Sequence, residues 1–244
     1  MIALYILAGI VGAILGFVFL SFLFLFALSV FARNKDYDKQ NGFYLAVFLF
    51  YLRVLLFCSR VKIKVTGREK IDGVGGKFLL VSNHRSDFDP FITAVAFKKN
   101  KMAFISKESN LKLPIFGKIV RKCMYTAIDR ENPRNAIKTI NRTAEIIKSG
   151  EVSYAVYPEG TRSRGVNMLP FHDGVFKIAQ KAQVPVVIVG VRGTEKVHKR
   201  APWRRTVVYL DVLDVIGAEK IAELSSHEIA DVAREKLIDA TEGK

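Results

Sequence analysis

The sequence is poor in the side chains that build disulfide or metal frameworks. It holds two cysteines, Cys58 and Cys123, and four histidines in 244 residues. No C-x-x-C pair and no pair of ligand-spaced histidines occurs, so neither a disulfide framework nor a structural zinc site is indicated. A G-x-S-x-G sequence is also absent, which argues against a serine hydrolase with a nucleophile elbow. We expect a protein of a reducing compartment that uses no metal and no resident cofactor.

Charged side chains are absent from Ile2 to Ala32, a segment of 31 residues that is almost entirely apolar. About 20 helical residues cross the hydrocarbon core of a bilayer, so this segment is predicted to be a membrane helix. It begins without a basic residue and is too long for a cleaved signal peptide, so we expect it to be retained. Arg33, Lys35 and Lys39 follow it, and the positive-inside rule then places the chain from residue 33 onward on the cytoplasmic side.

A second apolar stretch, residues 42–58, carries Arg53 as its only charge. It either crosses the membrane again or lies shallow, as a hairpin with the first helix in one leaflet and with Arg53 reaching the headgroups. An arginine at the bilayer centre costs about 2.5 to 3.5 kcal/mol, which favours the hairpin. Residues 1–58 are therefore predicted to anchor the protein in the membrane. No repeat or linker interrupts the remainder, so residues 59–244 are predicted to form one domain.

The net charge of +15 is concentrated between residues 59 and 218, because the last 26 residues are net acidic. Such a field favours phosphate-bearing small molecules, anionic lipids, an acidic carrier protein or nucleic acid. The run from Arg192 to Arg205 is strongly basic around Trp203, and taken alone it suits nucleic acid. Next to a membrane segment, an anionic lipid or an acidic acyl carrier is favoured over nucleic acid.

Beyond residue 60, short apolar runs alternate with amphipathic helical patterns, which predicts an α/β domain with a mixed, mostly parallel sheet flanked by helices. The helices are expected at 90–99, 132–148, 174–182 and 228–240, the last with a capping box between Ser225 and Glu228. The strands are expected at 61–65, 78–82, 102–106, 124–128, 153–157, 184–191 and 206–215.

The first polar cluster follows the apolar strand at 78–82, where the chain reads Asn83, His84, then Asp89 five residues after the histidine. Strand ends of this kind are where α/β folds place reactive groups. A histidine held by a carboxylate is a competent general base for an alcohol at neutral pH. The alternative is a turn histidine with helix-capping aspartates.

Two further clusters also follow predicted strands. Residues 157–165 offer Gly160 for close approach, the Thr161 hydroxyl, and Arg162, whose planar fork suits a phosphate. Glu159 fits a phosphate site only if it orients the arginine, and the alternative is an ordinary polar turn. The third cluster begins with Lys107 and continues through 113–117 to 128–130. Together the three clusters could converge on one cationic face.

In their order along the chain, these clusters resemble the motifs of the glycerol-3-phosphate and lysophosphatidic acid acyltransferase family, a group of glycerolipid acyltransferases. Two positions depart from the family pattern: Ile188 stands where many members carry a second proline, and Ala127 where a bulkier residue is usual. Both are apolar, so they put the chain-length preference or subfamily in doubt more than the activity. The residues similar to the four family motifs are Asn83, His84, Ser86 and Asp89; Lys107–Arg130; Tyr157–Ser163; and Val184–Val187.

The resemblance implies a glycerolipid acyltransferase fold with an N-terminal membrane-embedded helix pair. It implies that His84 takes the proton from the sn-2 hydroxyl of 1-acyl-glycerol-3-phosphate while Asp89 holds the imidazole. The acyl group would come from acyl-CoA or acyl carrier protein, and the product would be phosphatidic acid. The residues expected to bind substrate are Lys107, Arg130, Glu159, Gly160, Thr161 and Arg162, supported by Asn83 and Ser86.

The expected partners are the lipid bilayer, lysophosphatidic acid and the acyl donor, and nucleic acid is not expected. The expected location is the cell membrane, with the catalytic domain on its cytoplasmic face. Two alternatives stay open. One is an acyltransferase for another lysolipid or hydroxyl acceptor, and the other is a non-catalytic, membrane-bound binder of anionic lipid.

Overall fold

The computed structural model describes residues 1–129, 132–164 and 167–242, which form eleven α-helices and a seven-stranded sheet. The helices are α1 (Ile2–Phe31), α2 (Gly42–Cys58), α3 (Glu69–Asp72), α4 (Asp89–Ala96), α5 (Glu108–Leu111), α6 (Phe116–Lys122), α7 (Pro133–Lys148), α8 (Lys177–Ala182), α9 (Val197–Arg200), α10 (Ala218–Glu223) and α11 (Ser226–Thr241). The strands are β1 (Val61–Thr66), β2 (Leu79–Ser82), β3 (Met102–Lys107), β4 (Thr126–Ile128), β5 (Ser153–Val156), β6 (Val186–Arg192) and β7 (Thr206–Ile216).

The strands pair in the order β1-β7-β6-β2-β5-β3-β4, and every neighbouring pair is parallel except β6 with β7. This arrangement confirms the predicted mixed, mostly parallel sheet. Its central strands β2 and β5 are buried at every residue, because continuous apolar runs suit strands covered by helices on both faces. Leu80 pairs with Val187 on one side and Ala155 on the other.

One edge of the sheet collects the polar clusters. Strands β2 to β6 run in one direction, so their carboxyl ends meet along the same edge, called here the carboxyl edge. Strands β7 and β1 run the opposite way, so their first residues, Thr206 and Val61, lie at this edge too. The segments that follow β2, β5 and β6 and the end of α2 are therefore neighbours in space.

The first helix stands apart from the domain. Within α1 the 18-residue window with a mean hydropathy of 2.7 has none of its residues buried, and its length and composition suffice to cross a membrane. Two hydrogen bonds join the end of α1 to the rest of the chain: the Tyr44 hydroxyl donates to the Leu28 carbonyl at 3.0 Å, and Lys118 Nζ donates to the Ser29 carbonyl at 3.2 Å.

The second apolar helix, α2, packs on the α/β domain. Its contacts are with α4, α6 and β1. The outer side of α2 leaves Phe43, Phe50 and Phe57 exposed, and Arg53 is exposed as well. One face on the domain and one apolar face outward favour a shallow position over a second crossing. The boundary after residue 58 stays a prediction, since α2 shares the domain core through Tyr44, Phe48, Leu49, Leu52 and Leu56.

All seven predicted strands are confirmed, with ends that shift by no more than two residues. The predicted helices are confirmed with different bounds: α4 ends at Ala96, and a 3₁₀ turn at Asp173–Phe176 precedes α8. Helix α11 begins at Ser226, two residues earlier than predicted, and its capping box is formed as predicted by Ser225 and Glu228.

Candidate active site

Asn83 fixes the point where β2 turns into the first polar cluster. The backbone N–H of Val191 donates to Asn83 Oδ1 at 2.7 Å, and Asn83 Nδ2 donates to the Val191 carbonyl at 2.9 Å. The amide thereby continues the ladder between β2 and β6 by one step with a side chain in place of backbone. Asn83 is only 1% exposed, so this pairing sets where His84 begins.

His84 and Asp89 meet in a hydrogen bond, as the resemblance implied. His84 Nδ1 lies 2.8 Å from Asp89 Oδ2, which also accepts the backbone N–H groups of Arg85 and Ser86, each at 2.7 Å. An ionised carboxylate only accepts, so Nδ1 carries the proton and Nε2 is left as the acceptor. The Asp89 side chain is fully buried while that of His84 is 18% exposed. The base is therefore the accessible member of the pair.

The backbone of His84 is clamped by the segment that follows β5. Its N–H donates to Glu159 Oε1 at 2.6 Å, and its carbonyl accepts the N–H of Ser163 at 2.8 Å and the Ser163 hydroxyl at 3.2 Å. Glu159 Oε2 accepts the N–H of Leu169 at 2.9 Å. Both oxygens of this buried carboxylate are thus engaged by backbone donors. In the structure Glu159 positions the histidine, and its predicted contact with substrate stays a prediction.

The environment of Glu159 is a balance of burial and hydrogen bonding. Burial raises the pKa of the Glu159 carboxyl, while the N–H groups of Leu169 and His84 pull that pKa down. A carboxylate with two backbone donors can remain in such a site because the donors replace the water it has lost. The Glu159 carboxylate therefore holds the backbone at His84 and Leu169 in place.

Tyr157 covers one face of the His84 imidazole. The two rings stack with centroids 4.4 Å apart and planes inclined by 23°, and the Tyr157 hydroxyl lies 3.3 Å from Thr93 Oγ1. Burial raises the pKa of Tyr157 well above its usual value, and the charge of Asp89 adds to this. Tyr157 lies in the segment similar to the third family motif, where no role was predicted for it, and its position directly after β5 is the signal that indicates one.

Gly160 is required by the backbone of its own turn. Its φ angle is +69°, a region that L side chains rarely adopt. A Cβ added there would lie 2.9 Å from His172 Cδ2, and the His172 N–H donates to the Pro158 carbonyl at 2.9 Å. These contacts explain the glycine without a ligand, so its predicted role in substrate binding stays a prediction.

Arg162 lies at the surface beside the first cluster, where its guanidinium pairs with Asp87. Thr161 is exposed close by. Lys107 ends β3, two strands along the carboxyl edge from β2, or roughly 10 Å at the usual strand spacing. Arg130 lies outside the described residues. The structure therefore unites the first cluster with residues 157–165, whereas Lys107 shares only their edge.

Ser86 supports the turn that leads into α4. Its hydroxyl accepts the N–H of Phe88 at 3.3 Å, and its carbonyl accepts the N–H of Asp89 at 3.2 Å. Both contacts shape the turn that aims the Asp89 carboxylate back at His84. These contacts of the Ser86 hydroxyl and carbonyl are local to the turn, and the supporting role implied by the resemblance stays a prediction.

Two contacts at the site were not foreseen from the sequence. His198 is exposed, yet its Nε2 lies 3.7 Å from Asp87 Oδ2 and its ring lies 5.0 Å from that of Phe88. The end of α11 braces the same region, because Arg85 donates to the Thr241 carbonyl at 2.9 Å. Both contacts join segments more than a hundred residues apart, a distance over which no motif extends.

No group of three or more His, Cys, Asp or Glu side chains in residues 1–129, 132–164 and 167–242 is arranged to hold a metal ion. The His84–Asp89 pair instead has the two features of a general base, a fixed tautomer and an accessible nitrogen. Whether the protein works without a metal or cofactor stays a prediction.

Several proteins with assigned enzyme names are similar to this chain in sequence. The 1-acyl-sn-glycerol-3-phosphate acyltransferases of Salmonella typhimurium and Escherichia coli are each 30% identical over 171 residues, which cover 68% of this chain and 69% of theirs. The enzyme of that name from Saccharomyces cerevisiae is 27% identical over 193 residues, 78% of this chain and 63% of its own length.

Among solved structures, the 1-acyl-sn-glycerophosphate (LPA) acyltransferase of Thermotoga maritima superposes with a TM-score of 0.67 at 25% identity, over 82% of this chain and 78% of that one. The family model described as Acyltransferase matches residues 62–192, more than half of the chain. That range contains His84, Asp89 and the whole segment that clamps them. From the match and the geometry it encloses, this chain belongs to the acyltransferase family.

Proposed function

We propose that this protein is a 1-acyl-sn-glycerol-3-phosphate acyltransferase, which moves a fatty acyl group from acyl-CoA or acyl carrier protein to the sn-2 hydroxyl of lysophosphatidic acid. The product is phosphatidic acid. The observation that carries the proposal is the 2.8 Å contact between His84 and Asp89, which leaves Nε2 as a base at the same edge as Arg162. The choice of acceptor is supported by the names of the similar enzymes.

The chemistry needs one base and no covalent intermediate. His84 Nε2 takes the proton of the hydroxyl as its oxygen attacks the thioester carbonyl, and Asp89 stabilises the imidazolium that forms. Collapse of the tetrahedral intermediate breaks the C–S bond, and the departing thiolate takes the proton from the imidazolium. Because a thioester is already activated, no enzyme nucleophile is needed. Burial raises the pKa of the Cys123 thiol to about 12, which makes that thiol a poor candidate for one.

Arg162 is the proposed ligand of the acceptor phosphate. Its guanidinium suits bidentate contact with a phosphate, and it is held near the catalytic turn by Asp87. The incoming phosphate takes the place of that carboxylate or binds beside it. The acceptor site is proposed to be completed by Lys107, Arg130, Gly160 and Thr161, and by Glu159 through the backbone of His84 and Leu169 that it holds.

The proposed location is the cell membrane, with the catalytic domain on the cytoplasmic face. The apolar helix α1 provides the anchor, and Arg33, Lys35 and Lys39 after it provide the orientation. A lysolipid acceptor then keeps its acyl chain in the leaflet while its headgroup reaches the carboxyl edge.

Two substitutions test the proposal. Purified protein is given lysophosphatidic acid with acyl-CoA or acyl carrier protein, and release of free thiol is followed. His84→Ala and Asp89→Asn are each expected to lower turnover by about 10²-fold or more, since general-base catalysis contributes on that scale. His227→Ala is the matched control, because that histidine is exposed and pairs only weakly with Asp173 and Asp231.

Thermal unfolding of each variant separates lost chemistry from lost folding. Near-wild-type turnover in both His84→Ala and Asp89→Asn would exclude the proposed mechanism. Thiol release that depends on a different lysolipid or alcohol would retain the mechanism and change the acceptor. No thiol release from any acceptor, with anionic-lipid binding indifferent to His84→Ala, would instead identify a non-catalytic binder.

A further inference from the structure

The connection between β6 and β7 carries an uncompensated positive charge. Residues 196–205, called here the basic loop, hold five lysines and arginines and no aspartate or glutamate. All five cationic side chains are exposed. Lys196 alone has a described carboxylate within 4.0 Å, that of Glu195. The basic loop therefore presents four cations, Lys199, Arg200, Arg204 and Arg205, that no ion pair in the described residues neutralises.

An exposed indole sits among these cations. Trp203 is the only tryptophan of the chain, and it is 84% exposed. A ring of this size normally buries most of its surface, and indole beside basic groups is typical of the interface between bilayer and water. The basic loop thus combines an apolar ring that water solvates poorly with charges that an anionic surface attracts.

The basic loop lies next to the C-terminal end of α2. The N–H of Thr206, directly after the loop, donates to the carbonyl of Arg60 at 3.1 Å. Trp203 lies three residues before Thr206, and Phe57, which is 83% exposed at the end of α2, lies three residues before Arg60. Three residues reach at most about 11 Å, so Trp203 and Phe57 each lie within that distance of the hydrogen-bonded residues Thr206 and Arg60 at the carboxyl edge.

The other end of the basic loop reaches the catalytic turn. His198 Nε2 lies 3.7 Å from Asp87 Oδ2, and the His198 ring lies 5.0 Å from the Phe88 ring. Asp87 and Phe88 stand between the two residues of the catalytic pair in the sequence. Any surface that the basic loop touches is therefore beside the entrance to the site.

We propose that the basic loop is a second membrane contact, which docks on an anionic lipid surface with Trp203 at the level of the headgroups. Each cation near such a surface strengthens attachment by about fivefold, so four uncompensated cations add strongly to the anchor formed by α1. An acidic carrier protein would satisfy the charge, but it gives no reason for an exposed indole beside the apolar outer face of α2. The inference does not depend on the reaction that the protein catalyses.

The single tryptophan makes the inference directly measurable. The full chain is reconstituted into vesicles of phosphatidylcholine alone or of an equimolar mixture with phosphatidylglycerol, and fluorescence then reports Trp203 only. In the anionic vesicles we expect emission shifted to the blue, strong quenching by lipids brominated near the headgroup, and weak quenching by acrylamide. In the neutral vesicles we expect the opposite pattern.

Charge reversal supplies the matched variants. Lys199→Glu with Arg200→Glu is expected to abolish the difference between the two vesicle types. Lys98→Glu with Lys99→Glu makes the same change in charge at exposed lysines just before β3, on the opposite edge of the sheet, and is expected to leave that difference intact.

Two results would overturn the proposal, and both come from the wild-type chain, so neither depends on how a variant folds. One is equal emission and equal bromolipid quenching of Trp203 in neutral and anionic vesicles. The other is protection of Trp203 from acrylamide only after acyl carrier protein is added, which would assign the basic loop to the carrier.

Discussion

Truncation of Asn83 probes how firmly the sheet holds His84, the proposed general base. In Asn83→Ala, the N–H and the carbonyl of Val191 lose partners at 2.7 and 2.9 Å. The site is 1% exposed, so water does not replace the amide. Each unsatisfied buried group costs about 1 to 3 kcal/mol, so the two groups together give an expected destabilisation of about 2 to 6 kcal/mol.

The catalytic consequence of Asn83→Ala follows from its place directly before His84. The Asn83 amide pairs with β6, whereas Arg162 pairs with Asp87, so loss of the amide is expected to move the imidazole and to leave the proposed phosphate ligand in place. A displacement of about 1 Å can cost 10²-fold in rate. We therefore expect kcat to fall by roughly 10- to 100-fold while the KM for the lysolipid acceptor changes little.

Thermal unfolding and thiol-release kinetics measure the two effects of Asn83→Ala. Asn110→Ala is the control, because the Asn110 amide is exposed and donates only to Ser106 Oγ at 3.0 Å, so a change within about 0.5 kcal/mol is expected. An Asn83→Ala protein with unchanged unfolding, or one with a raised KM and an intact kcat, would refute the reasoning.

Two further substitutions test the segment after β5. Glu159→Ala removes the acceptor of two backbone N–H groups. It should therefore lower the unfolding temperature measured in the absence of substrate, and it should reduce kcat. An unchanged unfolding temperature together with an altered KM for the acceptor would instead show that Glu159 contacts substrate. Gly160→Ala forces a side chain into a φ of +69° and against the His172 ring, with an expected cost of about 1 to 3 kcal/mol. The double variant with His172→Ala should recover only the part due to the ring contact, and full recovery would contradict the role given to φ.

The sheet was predictable because its buried strands are continuous apolar runs between polar turns, a local signal. Helix α6 was missed for an equally local reason: Pro114 and Gly117 resemble helix breakers. In the structure Gly117 lies within α6 where a Cβ would come 2.2 Å from the Leu111 carbonyl oxygen. This glycine permits close packing of the chain, and a single sequence does not distinguish that use from a break.

The site likewise contains local contacts that could be predicted from the sequence and long-range contacts that could not. The hydrogen bond between His84 and Asp89 spans five residues, and its spacing could be read from the chain. The role of Glu159 could not, because it depends on β2 and β5 being neighbours, which brings together residues 75 positions apart. The arginine that Glu159 was expected to orient is instead held by Asp87.

These contacts leave the His84 side chain fixed and the Arg162 side chain freer to move. The base is immobilised from three sides, by Asn83 against β6, by Glu159 and Ser163 on its backbone, and by Tyr157 on its ring. Among the described residues, Arg162 is held by a partly exposed ion pair with Asp87, the kind of contact that contributes little in water. A phosphate can therefore exchange with Asp87 at small cost while the imidazole stays aimed. A rigid general base, His84, beside a more mobile phosphate ligand, Arg162, is the arrangement expected where the acceptor arrives from a fluctuating lipid surface.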